Sequence, residues 1–274
     1  MNWLQALLLG LVQGLTEFLP VSSSGHLMIF RNILGADPEG FLDFTVAVHF
    51  ATVLSTLVVF RKQIWKLLSG LFRFRYNDET DYVLKLVVSM VPVAVVGLLF
   101  KDVVEAFFGE GLTNVAICLV VTAVLLFVSD HFRIPAPASV KDSENGPRNG
   151  ISWIQAFVTG LGQAVAVAPG LSRSGTTIAT GLICGVRREV MAQFSFLMVL
   201  VPILGEQLLS LVDMAGSASA SPSVGLLPMA VGAVAAFLSG LLACKAMVAL
   251  VRKARLSWFS LYCLVMAAII VIFL

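Results

Sequence analysis

Charged residues are scarce in this chain of 274 residues, in which they make up 12% against 58% for hydrophobic residues. Soluble domains usually carry about a quarter charged residues, so this composition is typical of a membrane protein instead. Basic tracts interleaved with aromatic residues are missing as well, which argues against nucleic-acid binding. The net charge of +2 is too small to indicate a partner by itself.

Cysteine is also sparse, and its four copies have neither metal-binding nor redox spacing. They lie inside apolar segments, at Cys118, Cys184, Cys244 and Cys263. Cysteines in such surroundings usually behave as small buried hydrophobes. The function therefore has to come from other side chains.

Several apolar runs approach the roughly 20 residues that a helix needs to cross a bilayer core of about 30 Å. Runs of this length favour helices over a β-barrel, because backbone polar groups in lipid must be satisfied internally. We predict an all-α integral membrane protein with clear spans at about 41–60, 82–100, 112–129, 190–211, 225–249 and 257–274.

The chain contains an internal repeat. When it is shifted by 150 positions, nine of the first thirty residues find an identical partner, including Trp3 with Trp153 and Gln13 with Gln163. Identities in such rare residue types are hard to attribute to apolar low complexity. We predict a first repeat at 1–130, a cytoplasmic linker at 131–150 and a second repeat at 151–274.

Each repeat opens with two short apolar pieces, at about 1–35 and about 151–186. The first is interrupted by Glu17 and Pro20. Two short helices joined by a polar turn predict a re-entrant hairpin, which is tolerated only where it lines a protein-walled cavity. The alternative of eight or more full spans would place Glu17 or Arg173 in the middle of a lipid-embedded helix.

Basic loops mark the cytoplasmic side of a membrane protein. They occur here at 61–81, 131–150, 187–189 and 250–256, whereas 101–111 and 212–224 are poor in basic residues. All six spans agree with this distribution if each hairpin returns to its own side, the first outside and the second inside. We therefore predict two inverted-topology repeats whose hairpin tips meet near the midplane.

Glu17 and Arg173 are the chief charges within the two hairpins. A charge at this depth costs at least about 2.5 kcal/mol on insertion scales, so a functional role is the first expectation. A Glu17–Arg173 ion pair that ties the hairpins together is the structural alternative. It leaves unexplained why hydroxyls crowd the same place, at Ser22, Ser23, Ser24, Ser172 and Ser174.

The segment PGLSRSGTT places Arg173 at the start of a half-helix. Unpaired N–H groups, the positive end of the helix dipole, a guanidinium fork and hydroxyl donors together make a phosphate receptor. SSSGH opens a second half-helix, and two such ends aimed at one point would hold a diphosphate. A helix N-cap alone would explain one serine. The predicted substrate-binding residues are Ser22, Ser24, Gly25, Ser172, Ser174 and Gly175.

Ser23 and His26 are three residues apart and share a helix face, which allows a hydroxyl nucleophile beside an acid/base imidazole. The alternative role of His26 is a hydrogen bond that packs helices together. Gln13 and Glu17 also share a face and could offer oxygens to Mg²⁺ or Ca²⁺. His49 and His131 are interpreted as structural.

The segments QGLTEFLPVSSSGH and PGLSRSGTT resemble the two signature motifs of the bacterial undecaprenyl-diphosphate phosphatases of the BacA or UppP type, and the resemblance covers essentially the whole chain. It implies hydrolysis of a C55-isoprenyl diphosphate, recycling of the carrier lipid for peptidoglycan synthesis, bacitracin resistance and dependence on a divalent cation. It also implies the inner membrane of a bacterium as the location.

By position, the resemblance implies Ser23 as nucleophile, His26 as the motif histidine and Arg173 as the phosphate-binding arginine. Gln13 and Glu17 match an acidic motif in which many members have glutamate at the place of Gln13. Thr177 joins Ser172 and Ser174 as a polar position of the second motif. A phosphatase of the PAP2 type is rejected, because its chemistry resembles one that needs a histidine after the SR motif, and this chain has none after His131.

We therefore expect a multi-pass membrane hydrolase that acts on a polyprenyl diphosphate, with its site opening to the periplasmic side. Ser23, deprotonated with help from His26 or Glu17, could attack phosphorus itself or position a water, so Glu17 is a predicted catalytic residue as well as a metal ligand. A transporter or flippase of a phosphorylated lipid is the alternative, because inverted repeats with broken helices are a transporter architecture. A non-catalytic membrane scaffold is a third reading. Membrane lipids surround the chain in each case, and a homodimer is compatible with the sequence.

Overall fold

The computed structural model of the chain describes residues 1–37, 40–100, 111–132, 148–216, 224–253 and 255–273. Apart from a short 3₁₀ turn at Arg148–Gly150, every regular element in these ranges is an α-helix. In chain order they are α1 (Trp3–Phe18), α2 (Ser23–Leu34), α3 (Phe41–Leu71), α4 (Asp78–Leu99), α5 (Leu112–His131), α6 (Trp153–Val165), α7 (Arg173–Ile183), α8 (Arg188–Gly216), α9 (Leu226–Lys253) and α10 (Ser257–Phe273).

Five of these helices are long and apolar enough to cross a membrane: α3, α4, α5, and the stretches Arg188–Gly205 of α8 and Leu226–Val251 of α9. The apolar helix α10 is shorter, with 17 residues. The predicted all-helical, multi-pass class is thus confirmed. The span predicted to end at residue 60 continues as helix to Leu71, because basic side chains such as Arg61 stay exposed while Leu67 remains buried.

One helical hairpin precedes the spans in each half of the chain, α1 with α2 in the first half and α6 with α7 in the second. Asn2 and Ser152 cap α1 and α6, each in a capping box with the glutamine three residues later. The same glutamines close the hairpins, since Gln5 Nε2 donates to Leu34 O at 3.0 Å and Gln155 Nε2 to Cys184 O at 2.9 Å. The repeated glutamine therefore does the same work in both copies.

The first helix of each hairpin packs on a span from the opposite half of the chain. Helix α1 lies against α9, and α6 lies against α4. Glycine allows both close approaches: a Cβ at Gly10 would lie 2.3 Å from Gly232 O, and one at Gly160 would lie 2.3 Å from Ser89 O. The two halves are therefore interlocked rather than placed side by side.

The remaining spans cross-link the halves further. Helix α10 packs on α5, where Ser260 Oγ donates to Ala123 O at 2.7 Å, and α3 packs on α9. At one end of the α5–α10 pair, the Asp130 carboxylate accepts hydrogen bonds from Arg188 and from the backbone N–H and hydroxyl of Ser257. This carboxylate fixes the starts of α8 and α10 to the end of α5.

Several sequence features fall where little is described. Of the predicted loops at 101–111 and 212–224 and the linker at 131–150, residues 101–110, 217–223 and 133–147 lie outside the described residues, while 212–216 belong to α8. The cysteines are as predicted: Cys118, Cys244 and Cys263 are buried, Cys184 is half-buried, and all four are free thiols.

Candidate active site

The turn between α1 and α2 has an unusual backbone. Ser22 caps α2 by accepting a hydrogen bond from Gly25 N–H at 3.2 Å, yet its φ of 70° and ψ of 96° lie outside the regions that L-residues commonly occupy. A conformation of this kind costs on the order of 1–3 kcal/mol and is concentrated at functional sites. The strained residue directly precedes Ser23, the predicted nucleophile.

Ser23 and Gln13 both donate to one oxygen of Glu17. Ser23 Oγ lies 2.6 Å from Glu17 Oε2, and Gln13 Nε2 lies 2.7 Å from the same atom. A carboxylate only accepts, so the Gln13 amide must turn its nitrogen toward Glu17. Its carbonyl oxygen Oε1 is consequently buried without a hydrogen-bond partner.

The turn between α6 and α7 brings a guanidinium to the same carboxylate. Ser172 caps α7 by accepting from Gly175 N–H at 3.1 Å, with an ordinary φ of −75°. Arg173 is the first residue of α7, and its Nη2 lies 4.0 Å from Glu17 Oε1. Arg173 therefore faces Glu17 from across the junction of the two hairpins.

A reciprocal pair of serine contacts joins the hairpin turns. Ser24 Oγ accepts from Gly170 N–H at 3.3 Å, and Ser174 Oγ donates to Leu19 O at 3.1 Å. Ser24 and Ser174 are equivalent positions of the repeat, so each hairpin contacts the turn of the other, the first through an accepting serine and the second through a donating serine. Of the other predicted binding residues, Thr177 bonds Ser195 Oγ at 2.6 Å behind α7.

His26 lies near these residues but turns away from Ser23. Its Nδ1 lies 2.7 Å from Ser22 O, and its Nε2 lies 2.7 Å from the hydroxyl of Tyr262 in α10. The shared helix face expected for Ser23 and His26 thus does not produce a hydrogen bond between them. In this geometry the group that accepts the hydrogen bond of the Ser23 hydroxyl is Glu17.

Two further residues, His49 and Tyr262, contact the site, although the sequence did not indicate them as site residues. His49 of α3 places Nε2 3.7 Å from Glu17 Oε2, while its Nδ1 bonds Thr45 O at 2.9 Å. Tyr262 of α10 contacts His26 as described. Their polar character inside apolar spans was the only available signal, and it could not tell which face of the helix meets the hairpins.

The described part of the chain contains no cluster of three or more His, Cys, Asp or Glu residues suited to a metal ion. The two predicted ligands, Gln13 and Glu17, do lie together, and the unpaired Gln13 Oε1 is an oxygen that a hard cation could satisfy. A cation here would need further oxygen ligands, such as those of a phosphate group.

A small cavity opens beside Glu17 and Arg173. Its polar end is formed by these two side chains and Ser174, and its remaining walls come mainly from apolar residues of α3 and α8, such as Val53 and Phe196. Such a cavity suits a ligand with a charged head and an apolar body.

Comparison with known proteins agrees with the motifs. A sequence profile of the family described as "Bacitracin resistance protein BacA" matches residues 6–269. The undecaprenyl-diphosphatase of Bacteroides thetaiotaomicron is 49% identical over 99% of this chain and 99% of its own length. Those of Parabacteroides distasonis (49% identical, 96% of this chain and 95% of its own) and Oceanobacillus iheyensis (35%, 97% and 94%) are also similar. The chain belongs to the BacA family.

Proposed function

We propose that this chain is a membrane phosphatase that hydrolyses undecaprenyl diphosphate to undecaprenyl phosphate and inorganic phosphate. One observation carries the proposal: Ser23 Oγ donates to the Glu17 carboxylate at 2.6 Å, and Arg173 faces the same carboxylate. Membership in the BacA family and relatives named undecaprenyl-diphosphatase support this substrate. The reaction recycles the carrier lipid for cell-wall synthesis, and an abundant enzyme confers resistance to bacitracin.

Glu17 acts as the general base. It takes the proton of Ser23, whose oxygen attacks the terminal phosphorus, and the bond from that phosphorus to the bridging oxygen breaks. Undecaprenyl phosphate leaves, and water then cleaves the phosphoserine to release phosphate and restore the hydroxyl. The same contacts also suit a single step in which Ser23 positions a water for attack.

Arg173 stabilises the charge that develops on the transferred phosphoryl group. Its guanidinium and the starts of α2 and α7 provide positive charge and donors on one side of Ser23. The hydroxyls of Ser24 and Ser174 hold the two turns together, which keeps these donors aimed at a common point.

Gln13 and Glu17 would hold a divalent cation, Mg²⁺ or Ca²⁺, through Gln13 Oε1 and the carboxylate. A bound cation neutralises diphosphate charge and polarises the phosphorus centre. The unpaired state of Gln13 Oε1 supports this assignment.

The isoprenyl chain would lie along the apolar walls of the cavity between α3 and α8, with the diphosphate at its polar end. This division supports a lipid diphosphate over a soluble one, because a soluble diphosphate would gain nothing from walls such as Phe196 and Leu200.

The two halves are proposed to be inverted-topology repeats with re-entrant hairpins. Helices α1 and α2 have 16 and 12 residues, about 24 and 18 Å at 1.5 Å per residue, which is short of a bilayer core of about 30 Å. The exchanged packing of α1 on α9 and α6 on α4 supports a pseudo-twofold relation. In the bacterial inner membrane, the loop charges then favour a site open to the periplasmic side.

Phosphate release from isoprenyl diphosphates of several chain lengths, with and without a chelator, tests reaction, substrate and cation together. We expect the longest chains to be the best substrates and the chelator to abolish turnover. Ser23→Ala should remove phosphate release, and Arg173→Ala should weaken both substrate binding and turnover. Full activity of Ser23→Ala would eliminate the nucleophile assignment.

A flippase is the second candidate, because paired broken helices between interlocked halves are a transporter feature. Transport needs the anion clamp at Arg173 but no nucleophile. A Ser23→Ala protein that still moves a fluorescent polyprenyl phosphate across proteoliposomes, while releasing no phosphate, would assign both activities to the chain.

A further inference from the structure

The imidazole of His26 is held from both sides within the first hairpin. Nδ1 meets Ser22 O at 2.7 Å, and Nε2 meets the Tyr262 hydroxyl at 2.7 Å. The His26 and Tyr262 rings are nearly parallel, with an interplanar angle of 9° and centroids 5.6 Å apart. Three interactions therefore fix the orientation of one side chain that is almost fully buried.

These contacts determine the tautomer of a neutral His26. A carbonyl oxygen can only accept, so Nδ1 carries the hydrogen toward Ser22. Nε2 is then the acceptor, and the Tyr262 hydroxyl is its donor. Neither ring nitrogen is directed at Ser23, whose own hydroxyl hydrogen points to Glu17.

The carbonyl that His26 holds belongs to the strained residue. Ser22 O accepts from the backbone N–H of His26 at 3.1 Å as well as from its ring. Ser22 has a φ of 70° and ψ of 96°, and the peptide that carries this oxygen leads directly into Ser23. The orientation of that peptide determines where the Ser23 hydroxyl lies.

The second hairpin is the internal comparison. Its cap, Ser172, has a φ of −75° and ψ of 111°, and the residue equivalent to His26 is Thr176. The Thr176 hydroxyl is buried without a hydrogen-bond partner, so it does not hold Ser172 O. The imidazole occurs in the hairpin with the strained cap and the serine nucleophile.

We propose that Tyr262 and His26 are positioning residues: Tyr262 holds the His26 ring, and the ring holds Ser22 in the strained conformation that presents Ser23 to Glu17. This inference rests on the proposed phosphatase function and assigns His26 a role other than proton transfer. It also makes the last helix, α10, part of the site.

Tyr262→Phe tests the first link, because it removes the hydroxyl and keeps the ring. A hydrogen bond is worth about 1 kcal/mol, so we expect kcat for undecaprenyl diphosphate to fall about fivefold. KM should stay unchanged, because the diphosphate is bound by Arg173 and the helix starts. Tyr82→Phe is the matched control, since Tyr82 is a buried tyrosine of α4 packed edge-on against Phe194 of α8, and it should keep the parent kcat.

His26→Gln tests the second link, because its amide can still donate toward Ser22 O but cannot carry a proton. We expect a loss in kcat of about tenfold. General acid or base catalysis contributes about 10²- to 10⁴-fold, so a loss beyond about 100-fold would make His26 a proton carrier and overturn the proposal.

The double variant decides whether Tyr262 acts through His26. Tyr262→Phe should have no further effect on kcat in the His26→Gln background. An equal fivefold loss in both backgrounds, or a parent kcat in Tyr262→Phe, would overturn the proposal.

Melting temperatures of the parent, the two single variants at Tyr262 and His26 and the double variant, all in detergent, provide a readout that does not depend on activity. The two single changes break one contact, so their effects on the melting temperature should not add. Additive shifts would overturn the contact itself. A parent protein that releases no phosphate would instead refute the proposed function and leave this thermal comparison interpretable.

Discussion

The two hairpins have the same helix caps and the same closing hydrogen bond, but they carry different side chains at their turns. Both have a capping box at the first helix, a glutamine that closes the hairpin, and a serine cap on the second helix. At equivalent positions, however, the first hairpin has Glu17 and Ser23 where the second has Val167 and Arg173. In the proposed mechanism, one copy therefore provides the base and nucleophile, and the other provides the anion receptor.

Backbone strain follows the same division. Ser22 adopts a positive φ, whereas Ser172 does not. The strain is therefore a property of the first hairpin and not of the repeated turn in general.

Glu17→Gln should have the largest effect, because it removes the proton acceptor that distinguishes the first hairpin from the second. General base catalysis contributes about 10²- to 10⁴-fold, so we expect kcat for phosphate release to fall by that factor. Val167→Ala, at the equivalent position, is the control and should leave kcat near that of the parent. Similar losses in both variants would show that the effect comes from packing.

Gly10→Ala and Gly160→Ala should have equal effects if the halves are equivalent in their packing. Each new Cβ would lie 2.3 Å from a backbone oxygen of the facing span, so α1 or α6 must move outward. Overpacking of this kind costs about 1–3 kcal/mol. Melting temperatures in detergent check this, with Gly97→Ala as the control, since a Cβ there meets nothing within 4 Å. A large effect at one of the two glycines alone would contradict the equivalence.

Gln13→Glu and Gln163→Glu sharpen the assignment of the cation. The first change adds a carboxylate beside Glu17, so we expect about tenfold less Mg²⁺ or Ca²⁺ to be needed for half-maximal activity. The second buries a carboxylate in the other hairpin, where Val167 stands in place of Glu17, and should lower the melting temperature without changing the cation requirement. A cation requirement unchanged by Gln13→Glu would remove Gln13 from the proposed ligands.

Ser24→Ala and Ser174→Ala should give the smallest effects. Each removes one of the two reciprocal hydrogen bonds between the turns, worth about 0.5–1.5 kcal/mol. Thermal unfolding should show similar losses for the two variants and a loss near their sum in the double variant. A strongly unequal pair would mean that one turn is held by other contacts.

The contact between the two hairpin turns could be predicted from the sequence, because charged and hydroxyl side chains inside apolar segments need polar partners. Glu17 and Arg173 each needed the other or a ligand as a partner, and the internal repeat indicated that they lie in equivalent hairpins. The roles of His49 and Tyr262 could not be predicted, because the rotation of α3 and α10 about their axes is set by packing among spans that are apolar on every side.

His26 shows a second limit of sequence reasoning. Spacing correctly put His26 and Ser23 on one short helix, but the His26 imidazole bonds the Ser22 carbonyl and the Tyr262 hydroxyl instead of Ser23. The Tyr262 partner lies 236 residues further along the chain, and the spacing within the motif could not indicate it. The extension of α3 to Leu71 was missed for a simpler reason: basic residues end a membrane span but not a helix.

The packing of α1 on α9 has a consequence for synthesis of the chain. The surface that receives α1 is translated roughly 200 residues after α1 itself, which at about 5–20 residues per second is a delay of about 10–40 s. During that interval a short helix containing Glu17 sits in or at the membrane before its final neighbour exists. Helix α1 therefore lacks the surface of α9 until the last fifth of the chain is made.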